Sequence, residues 1–217
     1  MKASRVTVST FGTILGIAGL EHGVGEILQG NKAPESIFIQ SWPNNQLYEI
    51  LNGEPAMTII PNYILTGILA IIVSAVLIVW AILFIERKHG GLIFLLLSFI
   101  ALLVGGGVAG PVLIGIIVGL TSTRIDTEFT WMNTHLSTRD SLSRIWKYSY
   151  SVSVIGWFSL WPGLIILGMF VPVIEPLIVI FLTLLSFTSM LLTIVSSFAY
   201  DSIKNNGFPE NGLTTSA

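Results

Sequence analysis

From Pro55 to Ile85 the chain carries no charged residue over 31 positions, and from Gly90 to Thr123 none over 34. No other feature limits the fold so tightly. About 20 apolar residues suffice for a helix to cross the hydrocarbon of a bilayer. In a soluble domain such runs would need cover on every side, and a chain of 217 residues cannot cover several of them at once. Composition points the same way. Some 53% of residues are hydrophobic and 10% are charged, where soluble domains carry about 25% charged. The expected fold is an all-α, polytopic integral membrane helix bundle, with the lipid bilayer as its principal partner.

Hydrophobic segments are expected at about 6–28, 57–85, 91–120, 148–174 and 177–200. They form one membrane-embedded domain over residues 1–200, followed by a polar tail, 201–217, of disordered composition. Lys2 and Arg5 before an apolar run have the look of a signal peptide, but the chain beyond is not polar, so the run is read as a retained helix. Between the first two segments lies a polar loop with Trp42, Pro43 and Tyr48, aromatics suited to a membrane–water interface. Residues 44–51 after Pro43 are expected to form a short surface helix. Residues 122–147 read as an interfacial amphipathic helix leading into the fourth segment.

The third segment is too long for one upright crossing and too short for two. Its middle reads Gly105-Gly106-Gly107-Val108-Ala109-Gly110-Pro111. Inside a helix glycine costs about 1 kcal/mol and proline about 3, so a break is expected here. Basic residues decide whether the segment crosses or returns. Five plain crossings divide the ten Lys and Arg four to six. If the segment instead enters and returns on one side, nine lie inside and only Lys32 outside; if the first helix is the one that returns, the count is eight to two, with Arg87 and Lys88 outside. Both exceed the bias of five plain crossings, and the Gly/Pro break gives the third segment the physical cause to return. The architecture expected is four to five transmembrane helices with one interrupted or re-entrant segment.

The first segment carries the most suggestive chemistry. Gly12, Gly16, Gly19 and Gly23 recur at steps of four, three and four, so they share one helix face. A face without side chains lets another helix approach closely, so partner helices or a second copy are expected there. Glu26 continues that stripe, His22 sits one turn before it, and Glu21 adjoins His22. Ionisable groups within an apolar helix are costly and mark ion or substrate paths. Glu21, His22 and Glu26 are therefore candidate solute or ion ligands. Gly105, Gly106, Gly107 and Pro111 join them, because an interrupted helix can present backbone groups to a substrate. The alternative for the glycines is a packing kink, and for the acids and histidine a solvated interfacial turn.

Other chemistry is narrow. His22 and Glu26 could be two metal ligands, but a site needs a third, for which Glu54, His89 and Glu175 are the remote candidates. No metal is expected. Haem would need a second deep histidine, and His89 and His135 lie in polar turns, so no cofactor is expected. The absence of cysteine removes disulfides, thiolate sites and cysteine nucleophiles. No basic cluster faces an aromatic platform, so nucleic acid is not a partner. No catalytic motif is present and no catalytic residue is assigned. Ser186, Ser189, Thr193 and Ser197 make a hydroxyl stripe on the last segment, suited to a neighbouring helix or a pore lining.

The stretches GLEHGVGEILQGN, NGEPAMTIIPN and ERKHGG resemble a group of small prokaryotic multi-pass membrane proteins of no established activity. The likeness spans roughly the first 120 residues and implies a multi-pass chain in the cell membrane, with no activity attached. The leading expectation is binding or movement of a small solute or ion at a His/Glu centre. The alternatives are a non-catalytic accessory or scaffold subunit of a membrane complex, and a membrane enzyme acting on a lipid or quinone.

Overall fold

The helix that opens the chain, α1 (Ala3–Leu28), is the element against which the others are placed in this computed structural model, which describes residues 2–125, 127, 135–171 and 174–205. The preceding Lys2 side chain does not cap it. Asp201, from the other end of the chain, takes its first amides. Ala3 N–H donates to Oδ1 at 2.7 Å, and Ser4 N–H and the Ser4 hydroxyl donate to Oδ2 at 2.9 and 2.6 Å. The first four N–H groups of a helix lack intrahelical partners, and their partial positive charge favours a carboxylate. Asp201 belongs to α7 (Pro176–Asn205), which runs beyond the Tyr200 boundary expected for it. The rest of the expected tail, 206–217, lies outside the described residues.

The glycine face of α1 is filled from within the chain. A Cβ on Gly12 would meet that of Ala81 at 2.7 Å, and one on Gly23 would meet the Gly67 carbonyl oxygen at 2.7 Å. Ala81 and Gly67 belong to α2 (Tyr63–Leu83), so within this chain α2 packs on the glycine face. Asn62 starts α2, its side chain accepting the Leu65 N–H at 3.1 Å. The charge-free run from Pro55 is thus not helical throughout.

The third segment divides where glycine and proline accumulate. α3 (Gly90–Leu103) ends, and after a π-helical turn (Gly110–Gly115) the chain continues as α4 (Ile116–Ser122). The two helices are antiparallel. Gly91 backs onto Gly119 and Ser122, and Gly115 onto Ser98. The segment therefore returns toward the end from which it started. Gly105 (φ +95) and Gly107 (φ +85) make the turn in a backbone region that side chains disfavour. Pro111 sits in the first turn of the π helix, where its missing N–H does least harm.

The loop between α1 and α2 departs from the all-α expectation. β1 (Phe38–Gln40) and β2 (Pro55–Met57) pair antiparallel, with Ile39 opposite Ala56. Between them the expected surface helix appears as a 3-10 turn, Gln46–Leu51, capped by the Asn45 side chain. The strands have a physical reason. The hairpin tip leaves backbone amides without helical partners, and β2 and its flanks supply acceptors. Gly105 N–H donates to the Met57 carbonyl at 2.9 Å and Val108 N–H to that of Pro55 at 3.2 Å. Ile59 N–H donates in return to the Leu103 carbonyl at 3.0 Å.

The remaining helices pair with each other. α5 (Leu136–Phe158) passes through a π turn containing Pro162 into α6 (Leu164–Gly168). The amphipathic stretch expected at 122–147 leads into this helix from Leu136 onward, while Ser122 closes α4 and 126 and 128–134 lie outside the described residues. Ser186, Ser189, Thr193 and Ser197 on α7 are all buried. Ser186, Ser189 and Thr193 bond back to carbonyls four residues earlier, and Gly156 of α5 packs on Ser186. The hydroxyl stripe is a helix contact. Trp157 meets Phe187 edge-on at 4.9 Å between ring centroids.

Four helices are long and apolar enough to cross a membrane by length and composition: Ala3–Leu28, Tyr63–Leu83, Leu136–Gly168 and Pro176–Lys204. On α2 much of the outward face is apolar and much of the inward face small or polar. α2 buries Thr66, Gly67, Ala70 and Ser74 and exposes Leu65, Ile68, Ile72 and Val79.

Candidate functional site

The last two turns of α1 carry Glu21, His22 and Glu26, and Gly25 lets the loop settle on them. A Cβ there would meet the Ser41 carbonyl oxygen at 2.5 Å and the Trp42 ring at 2.7 Å. Gln29 fastens the same strand end, its side-chain amide donating to the Gln40 and Ser41 carbonyls at 3.0 and 3.2 Å. The β1–β2 pairing extends past the strands. Ser41 N–H donates to the Glu54 carbonyl and Trp42 N–H to that of Gly53, both at 3.0 Å. Ser41 and Glu54 thus face each other across the loop. The returning limb turns through three successive left-handed residues, Asn52 (φ 53), Gly53 (φ 68) and Glu54 (φ 55). Such a conformation costs a side-chain-bearing residue about 1–2 kcal/mol.

These constraints converge on His22. Its Nδ1 lies 2.8 Å from the Ser41 hydroxyl, and that hydroxyl donates to Glu26 Oε1 at 3.3 Å. Ser41 has one proton. Giving it to Glu26 leaves its lone pairs to accept from His22 Nδ1–H, so a neutral imidazole carries no proton on Nε2. Yet Nε2 faces Glu54 Oε2 at 3.4 Å. A bare ring nitrogen and a carboxylate repel each other, so the pair is stable only when a proton or another cation lies between them or on one of them.

The surroundings sharpen this demand. His22 is 6% exposed and Glu26 is 0% exposed. Glu26 Oε2 and both Glu21 oxygens are buried without a hydrogen-bond partner. The Trp42 indole and Tyr48 hydroxyl stand near the Glu21 carboxylate but stop short of hydrogen-bond geometry. Their rings stack on each other at 4.6 Å between centroids. No Lys or Arg among the described residues is paired with Glu21, Glu26 or Glu54; Arg5 pairs with Glu86 and Arg139 with Asp140 instead. Burial, with the Glu21 charge beside it, pushes the Glu54 carboxyl up to about 8. Burial, followed by the Glu21 carboxylate, pushes the Tyr48 phenol upward as well.

The hairpin tip closes the site from the other side. A Cβ on Gly107 would come 2.5 Å from His22 Nε2, and one on Gly105 would strike both Glu26 carboxylate oxygens. His22 and Glu26 therefore lie against the Gly105–Gly107 turn. The amides of Gly105 and Gly106 are bonded internally, to Met57 and Ala101. Pro111 is buried beside Gly110, which faces Leu15, two helical turns from His22. Surface clefts of about 370 and 580 Å³ lie on the loop among residues such as Gln40, Asn52 and Lys32, and neither includes His22 or Glu26.

The metal-ligand question also changes partners. Glu21, His22 and Glu54 can each present one ligand atom, all within 4.8 Å of one another. Glu26 is turned aside to Ser41, and His89 and Glu175 are exposed on other parts of the chain. Ser41, Trp42 and Tyr48 join the site although sequence reasoning did not single them out as ligands. The aromatics were legible only as interface residues, and Ser41 carried no signal. No family model matches the chain, and neither a curated protein nor a solved structure matches it.

Proposed function

We propose that this chain is a multi-pass protein of the cell membrane that binds and moves a small cation at the His22–Glu26 centre. Its four long helices cross the bilayer, and the α3–α4 hairpin enters and returns without crossing. Support for the membrane comes from the faces of α2, much of the outward one apolar and much of the inward one small or polar, which suits packing in lipid. Support for the hairpin comes from its antiparallel halves, and from the charge count, which under a one-sided return is nine basic residues against one, the bias expected of a membrane protein.

One observation carries the function. The buried Glu26 carboxyl and His22 imidazole stand with the half-buried Glu21 and Glu54, and no Lys or Arg among the described residues is paired with any of them. Buried acids are stable only when neutralised, so the centre must hold protons or another cation. An accessory subunit has no use for such an interior, and its open glycine face is here occupied by α2. An enzyme acting on a lipid needs a lateral opening, whereas His22 and Glu26 are covered.

Topology is tested by labelling, which is clean because the chain contains no cysteine. Single variants Lys88→Cys and Arg139→Cys are expected to react with an impermeant thiol reagent from one side of sealed vesicles, and Lys32→Cys from the other. Reaction of Lys88→Cys and Arg139→Cys from opposite sides removes the re-entrant hairpin. Movement is tested in proteoliposomes holding a pH dye and a divalent-cation dye. The wild-type chain is expected to collapse one imposed gradient about tenfold faster than Glu26→Gln, since an intramembrane carboxylate marks the path. Equal rates for wild type and Glu26→Gln with each of the two dyes overturn the reading.

A further inference from the structure

We infer that the centre takes a divalent first-row metal ion, of which Zn²⁺ is the probe of choice, held by Glu21, His22 Nε2 and Glu54. This names the cation class of the centre proposed above and rests on that reading. The donor separation fits. For metal–ligand bonds of about 2.1 Å, tetrahedral geometry puts neighbouring donors about 3.4 Å apart. His22 Nε2 and Glu54 Oε2 stand 3.4 Å apart. Glu21 completes a group whose atoms all lie within 4.8 Å, and both its oxygens are buried without a partner. Neighbouring positions on a helix diverge by about 100°, so Glu21 and His22 do not form a site by themselves. Glu54, delivered by the left-handed turn at 52–54, closes it.

A second, independent feature is the shell behind the histidine. Metal-binding imidazoles are oriented by a hydrogen bond to the other ring nitrogen, which fixes the tautomer and raises basicity. Here His22 Nδ1 meets Ser41, and Ser41 donates to Glu26. Glu26 is fully buried, and its Oε2 has no hydrogen-bond partner. The relay leaves Nε2 bare and facing the Glu54 carboxylate. Donor chemistry sets the class. One imidazole with two carboxylates suits Zn²⁺, Mn²⁺ or Fe²⁺, whereas Cu⁺ wants sulfur and Ca²⁺ wants six or more oxygens. Three protein ligands leave a fourth position for water or a travelling ligand, as in sites that exchange and not in closed structural ones.

The test uses the full chain in detergent without a histidine tag. It is stripped with chelator, equilibrated with Zn²⁺ or Mn²⁺ and desalted for elemental analysis, with affinity read by competition against a fluorescent chelator. About one Zn²⁺ per chain is expected, with Glu54→Gln and His22→Gln binding at least tenfold more weakly and Ser41→Ala about tenfold. His89→Gln/His135→Gln is expected to bind like wild type. Glu54→Gln alters a loop residue, and circular dichroism verifies that each variant remains helical. Absence of bound Zn²⁺ and Mn²⁺ from the folded wild-type chain overturns the inference, as does equal binding by Glu54→Gln. The two readings fail separately. Proton flux without metal binding removes only the metal, and metal binding without flux of either dye removes only the movement.

Discussion

Gly105→Ala is expected to lower the stability of the folded chain by about 3 kcal/mol, a fall in melting temperature of roughly 10 °C for a chain of this length. Two causes add. The backbone at Gly105 has φ +95, which disfavours any side chain. The new methyl would also overlap both Glu26 oxygens and come 2.5 Å from Thr66 Cγ2. To escape, the carboxylate must leave Ser41, and Ser41 then loses its hold on the tautomer of His22. Gly30→Ala separates the causes. Gly30 has φ +84 but nothing within 4 Å of a built Cβ, so it is expected to cost only about 1 kcal/mol. The double variant Gly105→Ala/Glu26→Ala should be less damaging than the two single costs summed, because the overlap with the carboxylate is gone. Thermal unfolding in detergent, read by circular dichroism, measures all four chains. Equal losses in Gly105→Ala and Gly30→Ala would show that the tip does not press on Glu26.

The second large effect is expected at Asp201. Its carboxylate accepts two backbone amides and one hydroxyl from the start of α1, and Ala3 and Ser4 are 2% and 0% exposed. Asp201→Ala leaves these buried donors unpaired and removes a negative charge from a helix N-terminus. The expected loss is about 3 kcal/mol, since bonds to a charged group and a lost cap each contribute about 1–3. Asp201→Asn keeps an acceptor oxygen and should lose roughly half as much, while Ser4→Ala gives up only the hydroxyl bond and should lose about 1 kcal/mol. The ranking Ala, then Asn, then Ser4→Ala is the check, by the same unfolding measurement. If Asp201→Ala falls within about 0.5 kcal/mol of wild type, the contact between the two ends of the chain carries no stability.

How much of this was legible depends on which interactions are local. The charge-free runs mark α2, the hairpin and α7, because hydrophobic length is a property of a continuous segment. The break between α3 and α4 falls where glycine and proline make a helix weakest, also a local matter. The glycine steps on α1 correctly require a close helix but do not say whose; α2 supplies it because it follows in the chain and brings Gly67 opposite Gly23. Where longer-range contacts decided, sequence reasoning fell short. Asp201 belongs to a helix that the polarity of its neighbours concealed.

By itself the sequence determined the medium this chain suits, the helices that suit it, the place where one of them must break, and that Glu21, His22 and Glu26 are ionisable groups on one helix end. Tertiary structure alone decided what faces them. Ser41 and Glu54 are thirteen positions apart in a loop of no periodicity, and only strand pairing fixes them opposite each other. The hairpin tip reaches His22 because its unpaired amides find acceptors on β2, a contact no local pattern encodes. Apolar length and glycine spacing act within a segment, whereas the closure of a polar site depends on where separate segments exhaust their hydrogen-bond partners and meet.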